Sequence, residues 1–278
     1  MSGDKMRLEL KKIAFIGGGA MGEAIIKGMV GAGLLGAADI HVGAHRQERA
    51  DYLNREYGVT GVIDNLAAVR GADMVVLAIK PQMVDEVLDR ELVEAVSGDT
   101  VIVSIMGSVP IARLQEIFPG RPVVRTMPNT PLAVGAGMTA IAPAEGVDEA
   151  AVAAVERIFS CCGQVLLVKE KDIEAVTAVS GCGPGYVYVL IDALADAGVM
   201  AGLPRAAAIK LAAQTFAGAG KMVLETGDHP AVLRDMVTSP GGTTIAGIHA
   251  LENHGVRGAM YDAVQAVLDR SEELKRKN

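Results

Sequence analysis

Near its start the chain reads "IAFIGGGAMGEAI", which sets Gly17, Gly19 and Gly22 in G-x-G-x-x-G register between an apolar strand pattern and a helical one. Glycines at this spacing suit a dinucleotide. The first permits a tight turn, the second lets backbone approach a pyrophosphate, and the third lets helix and strand pack closely. The free N–H groups at the helix start, by Ala20 and Met21, then face the phosphates. The strand before and the helix after separate this pattern from a glycine turn with no ligand. About 20 residues on, where a site for NAD carries an acid, the chain reads "VGAHRQER" with Ala44, His45 and Arg46 in that place. A guanidinium matches a 2′-phosphate, so NADPH is preferred and NADH remains possible. An ordinary surface arginine at a helix start is the alternative for Arg46.

A second cluster, "TSPGGTTIAG" (238–247), puts Pro240, two glycines and four hydroxyl side chains before the apolar stripe Ile245, Ile248 and Leu251. The helix is expected to begin near Thr243. One Ser or Thr would suffice as a cap. Four hydroxyls with Gly241 and Gly242 point instead to backbone brought close to a ligand, with helix amides available for an anion. Two further segments, "LAIKPQ" (77–82) and "SIMGS" (104–108), end predicted strands. Strand ends of that kind face the cofactor crevice, which brings in Ala78, Ile79, Lys80 and Pro81, then Ile105, Met106 and Gly107. For Lys80 a plain exposed lysine is the competing reading.

These groups must be carried by elements, and the patterns define two regions. Runs at 12–17, 39–43, 74–79, 100–105 and 122–127 read as strands, with helical spacing at 20–31, 47–56, 82–96 and 110–117. Two more strands, at 135–143 and 163–168, flank a helix at 148–159 and extend one edge of the sheet. Beyond about residue 170 only helices are read, at 171–179, 184–200, 204–225, 230–237, 243–253 and 256–272. The expected fold is an α/β Rossmann-type doubly wound sheet over residues 1–168, followed by an all-α dimerisation domain over 169–278. The helix at 184–200 is apolar nearly all round, which calls for burial against another subunit.

Composition narrows the function classes. Half of the residues are apolar, only 3% are aromatic and Trp is absent, so the core is built from aliphatic side chains and Met. A net charge of −7 argues against a nucleic-acid surface, and the one basic cluster, at 275–277, reads as a solvated tail. The stretch "YVYVLIDALADAGVMAGL" is broken by Asp192 and Asp196, and no secretory leader is read, so no membrane partner and a cytoplasmic location are expected. Cys161, Cys162 and Cys182 lack zinc or disulfide-framework spacing. His41, His45, His229, His249 and His254 lack metal spacing, and structural or surface roles are expected for them.

The fingerprint, "AIKPQ", "RTMPNTP" (125–131), and the pair "SGCGPGYVYVLIDALADAG" (180–198) with "DMVTSPGGTTIAGIHALE" (235–252) occur in this order. Together they resemble the Δ1-pyrroline-5-carboxylate reductase family from about residue 11 to 270. The resemblance implies reduction of a cyclic imino acid to L-proline with NAD(P)H, and a homo-oligomer that is a dimer or a decamer built of dimers. It implies that the substrate lies between the nicotinamide and the "SPGGTT" loop. It also gives Asn65 to the cofactor's adenosine end, and Ser239, Gly242 and the amides of Thr243 and Thr244 to the substrate carboxylate. The Thr244 hydroxyl falls to the ring nitrogen. Cys182 and Gly185 stand where Ser and Ala are frequent, and Ser108 where Gly is common. Glu170 aligns only roughly with an acid near the substrate in some members, and no role is assigned to it. A β-hydroxy acid dehydrogenase is the alternative enzyme, but it wants a lysine base that the 184–200 helix lacks, and Lys210 has no supporting motif. A nonenzymatic NADP-binding regulator would have lost the fingerprint glycines or the loop hydroxyls, and neither has been lost.

Overall fold

The computed structural model describes residues 10–275, so the segment read for a leader and the end of the basic tail lie outside the described residues. The chain divides after Gly181 into two compact units.

The first unit is built on an eight-stranded sheet. Its strands are β1 (Ile13–Ile16), β2 (Ile40–Gly43), β3 (Thr60–Val62), β4 (Met74–Leu77), β5 (Val101–Ser104), β6 (Val123–Pro128), β7 (Gly137–Pro143) and β8 (Gly163–Leu167), in the order β3-β2-β1-β4-β5-β6-β7-β8. The first six follow the 3-2-1-4-5-6 order of dinucleotide-binding sheets and run parallel. β7 turns back antiparallel to β6, because residues 129–136 are too few for the roughly dozen-residue crossover that a parallel partner needs.

Helices α1 (Ala20–Gly31), α2 (Gln47–Tyr57), α3 (Asn65–Val69), α4 (Val84–Val87), α5 (Arg90–Ala95), α6 (Ile111–Ile117) and α7 (Glu149–Ser160) connect the strands. Alternate residues of β1 enter opposite cores, as the two-residue period of a strand requires. Ile13 and Phe15 pack with Ile25 and Met29 of α1 and with Val155, Ile158 and Phe159 of α7. Ala14 and Ile16 pack with Leu77, Leu92, Leu114 and Phe118 on the other face. The helix expected over 82–96 is instead a 3₁₀ turn, α4 and α5, because the Asp89 side chain accepts from the Leu92 amide and starts a new helix.

The helix expected over 171–179 lies within residues 170–181 of the structure. Those residues form a 3₁₀ turn (Glu170–Asp172), the single turn α8 (Ile173–Val176) and a π turn (Thr177–Gly181). They pack on the first unit, with Ile173 buried against Ala140 and Ala142 of β7.

The second unit holds α9 (Gly183–Met200), α10 (Arg205–Thr226), α11 (Pro230–Met236), α12 (Thr243–Asn253) and α13 (Val256–Lys275). α9 and α10 meet through small residues, Ala195 against Ala208 and Ala212. Ala195 is the one buried residue of α9, while Tyr188, Val189, Leu194 and Met200 are exposed. The apolar girth read as fully buried is therefore uncovered in a single chain. The stretch Glu170–Met200 is long and apolar enough to cross a membrane by length and composition, although it carries Asp192 and Asp196.

Candidate active site

Register brings the fingerprint and the strand ends to one edge of the sheet. Ile16 is level with Gly43 on one side and with Leu77 on the other, and Leu77 is level with Ser104. The next residues, Gly17, Ala44, Ala78 and Ile105, therefore emerge together at the carboxyl edge, where open α/β sheets bind ligands. Their amides continue the ladder: Ala78 donates to the Ile16 carbonyl at 2.8 Å and Ile105 to the Leu77 carbonyl at 3.2 Å.

Each fingerprint glycine has a distinct physical reason. Gly17 holds φ at +106°, and a Cβ there would lie 2.5 Å from the Ala78 carbonyl oxygen. A Cβ on Gly22 would lie 2.7 Å from the Gly17 carbonyl, so α1 can approach β1 only with glycine there. Gly19 has no protein atom near its Cβ position, and it caps α1 with no side-chain hydrogen bond. Ala20 is exposed and Met21 half-buried beside it. Open space next to uncapped helix amides fits a pyrophosphate.

Two arginines follow β2, and their surroundings separate them. Arg49 is committed to the protein: its Nε donates to the Gly18 carbonyl at 2.5 Å, and its Nη2 pairs with Glu23. Tyr52 and Tyr57 donate hydroxyls to the same carboxylate, at 3.0 and 2.7 Å. Desolvation pushes the Glu23 carboxyl up, but Arg49, Tyr57 and Tyr52 outweigh it and hold it below the usual range. Arg46 starts α2, exposed beside the exposed His45, and neither side chain is committed to a hydrogen bond or ion pair. Asn65 begins α3, which Asp64 caps, and its Oδ1 occupies the space that a Cβ on Gly43 would take. This sets an uncommitted amide at the end of β2.

On the other side of β1, Ala78 and Ile79 are half-buried, Lys80 is exposed, and Pro81 opens a 3₁₀ turn. Ile105 and Gly107 are half-buried after β5. Met106 is 2% exposed in the core with Ile111, so only its backbone is available to the crevice.

In the second unit, Gly242 is the N-cap of α12, and no side chain caps that helix. Gly241 at φ +68° makes the turn, and a Cβ on Gly242 would collide with the Ser239 hydroxyl. Of the four hydroxyls, Thr238 donates to the Arg234 carbonyl at 2.6 Å. Those of Ser239, Thr243 and Thr244 have no protein partner, and all three residues are exposed beside the helix amides. A group of three hydroxyls spent on nothing is not a cap. It is a ready set of donors for an anion.

Two of the histidines have structural duties. His229 caps α11 by accepting from the Ala231 amide, and His254 Nδ1 lies 2.8 Å from the Ala250 carbonyl. Lys210 is exposed on α10. The sequence reading gave no role to Arg125, Asn129 or Glu170, all of which are engaged in the first unit. The signals available were the motif "RTMPNTP", which holds Arg125 and Asn129, and the charge at 125 within a mostly apolar strand run.

A 3-2-1-4-5-6 sheet with a glycine turn at an uncapped helix, followed by a helical unit with uncovered apolar faces, defines an NAD(P)-dependent, oligomer-forming oxidoreductase. Residues 12–108 match the family described as NADP oxidoreductase coenzyme F420-dependent, and residues 170–274 match pyrroline-5-carboxylate reductase dimerisation. The pyrroline-5-carboxylate reductase of Synechocystis sp. is 46% identical over 96% of this chain and 99% of its own length. Among solved structures, a pyrroline-5-carboxylate reductase from Coxiella burnetii superposes with a TM-score of 0.90 at 34% identity, covering 96% of this chain and 99% of the other. That of Plasmodium falciparum, solved with NADP bound, gives 0.82 at 31% identity, covering 95% and 97%. The chain belongs to the pyrroline-5-carboxylate reductase family.

Proposed function

We propose that this protein reduces 1-pyrroline-5-carboxylate to L-proline, the last step of proline biosynthesis, with NADPH preferred over NADH. The observation that carries the reading is the turn before α12, where the Ser239, Thr243 and Thr244 hydroxyls and the first helix amides are all left without protein partners. The amides of Thr243 and Thr244 and the Ser239 hydroxyl hold the substrate carboxylate, with Gly242 letting the backbone come close. The Thr244 hydroxyl orients the ring nitrogen.

The glycine turn and the α1 amides hold the pyrophosphate, Asn65 the adenosine end, and Arg46 with His45 the 2′-phosphate. The segments 78–81 and 105–107 hold the nicotinamide end. When bound, the reduced nicotinamide supplies the hydride. The imine binds protonated, so its ring carbon is already electrophilic. As that carbon accepts the hydride, the C=N π pair moves onto nitrogen and leaves a neutral secondary amine, which takes a proton from water afterwards, so no side chain needs to donate a proton during the transfer. Thr244 works by alignment, and well-aligned reactants can lower a barrier by roughly 7–11 kcal/mol.

The working form is a homo-oligomer. Its dimer covers the apolar faces of α9 and its neighbours, and dimers gather into a decamer. Its three cysteines are free thiols, which suits the reducing cytoplasm.

The test is oxidation of NADPH and NADH with five- and six-membered cyclic imino acids. The five-membered imine is expected to turn over, faster with NADPH. Thr244→Ala is expected to lose about tenfold to a hundredfold in kcat/KM, as for one hydrogen bond to a charged group, and Thr244→Ser to recover most of it. Absence of turnover with every cyclic imine overturns the reading, and an unchanged Thr244→Ala variant removes the role given to that hydroxyl.

A further inference from the structure

Arg125 lies on β6 with its side chain 4% exposed. Its Nη1 donates to Glu170 Oε1 at 3.0 Å, its Nη2 donates to the carbonyl of Gly107, and Glu174 Oε1 stands 3.9 Å away. The same Glu170 oxygen accepts from the Ile111 amide at 2.7 Å, at the first residue of α6. One carboxylate therefore holds the loop that follows β5 at two points, its middle through Arg125 and the Gly107 carbonyl, and its end directly at the Ile111 amide. A third grip comes from Met127, also on β6: Cβ atoms on Gly107 and Gly181 would lie 3.1 and 2.7 Å from its Sδ and Cε.

A buried ion pair is weak evidence for stability, since well-packed apolar residues of similar volume often serve as well. What an apolar residue at position 125 could not do is fix the direction of the Gly107 carbonyl. We propose that Arg125 and Glu170 are positioning residues for the nicotinamide: by holding Gly107 and Ile111 they set the backbone of 105–108 against which that ring lies. The proposal rests on the assignment of Ile105, Met106 and Gly107 to the cofactor crevice. Neither residue touches cofactor or substrate; both act through the loop. Glu170 therefore serves the reaction through the loop it holds.

The test compares binding of NADPH with binding of 2′-phospho-ADP-ribose, which lacks the nicotinamide, alongside kcat and the melting midpoint. Glu170→Ala and Arg125→Lys are expected to weaken NADPH and lower kcat by roughly tenfold each while changing fragment affinity less than about twofold, since a misplacement near 1 Å suffices for such losses. Glu170→Gln, which keeps an acceptor for the Ile111 amide, is expected to lose less and guards against a variant that fails to fold. Ser108→Trp, at an exposed loop position away from the ion pair, is expected to weaken NADPH and spare the fragment. If Ser108→Trp binds both ligands like the wild type, the loop does not line the nicotinamide site, and the proposal falls with that assignment. If Ser108→Trp discriminates but the Glu170 and Arg125 variants lose only melting temperature, or lose both ligands equally, the pair merely supports the fold and the proposal is overturned.

Discussion

Gly17 and Ala78 are in backbone contact: a Cβ on Gly17 would lie 2.5 Å from the Ala78 carbonyl oxygen, at a residue whose φ is +106°. Gly19, two residues on, has open space at its Cβ position and ordinary φ. The two glycines should therefore fail differently. Gly17→Ala is expected to cost about 1–3 kcal/mol or more of stability through strain and collision, with loss of NADPH binding as a consequence. Gly19→Ala should keep the wild-type melting midpoint and still weaken NADPH binding. Thermal melts paired with NADPH titrations check this, and a destabilised Gly19→Ala would contradict it.

Arg46 is uncommitted within the protein, whereas Arg49 is tied to Gly18 and Glu23. Arg46→Ala is expected to raise the KM for NADPH by about tenfold to a hundredfold, the worth of one charge-assisted hydrogen bond, and to leave that for NADH nearly unchanged. Arg49→Ala should harm both cofactors together, because it loosens the glycine turn itself. Steady-state kinetics with both cofactors separates the two arginines.

Glu23 binds Arg49, Tyr52 and Tyr57, and its carboxyl is held below its ordinary value of 4.5. With the folded value the lower one, its contribution is complete above about 4.5 and is lost as pH falls through the folded value. Glu23→Gln is expected to be less stable than wild type by about 1–3 kcal/mol at pH 7, with the gap closing in acid. Denaturant unfolding at pH 7 and below pH 4 measures both numbers.

Tyr188 and Val189 stand exposed on α9, the helix whose burial needs a second chain. Val189→Asp would place an unpaired charge in that interface and is expected to weaken dimer formation by about a hundredfold or more. Sedimentation over a concentration series should show monomer where the wild type is oligomeric, with the far-ultraviolet helix signal retained.

Local chemistry made much of this site readable in advance. The fingerprint glycines, the Pro81 turn and the "SPGG" turn before α12 are short-range features whose backbone needs are set by their own residues. β3 was missed because Thr60–Val62 is only three residues with no burial alternation, and it exists by pairing with β2. α3 escaped for a similar reason, five residues started by the Asp64 cap. The uncapped start of α12 could be suspected from surplus hydroxyls, but only the geometry showed that Thr238 is spent and the other three are free.

By itself the sequence determined the alternation of strands and helices, the two glycine-rich turns and the change to an all-helical region, because these follow from residue spacing within a few turns of chain. Only the tertiary structure decided which arginine near β2 is available, that Glu170 serves Arg125 and Ile111, and that residues 170–181 pack on the sheet. Those outcomes depend on partners 26 to 59 positions apart in the chain, and which partner a charged group meets is set by how the sheet and its helices pack.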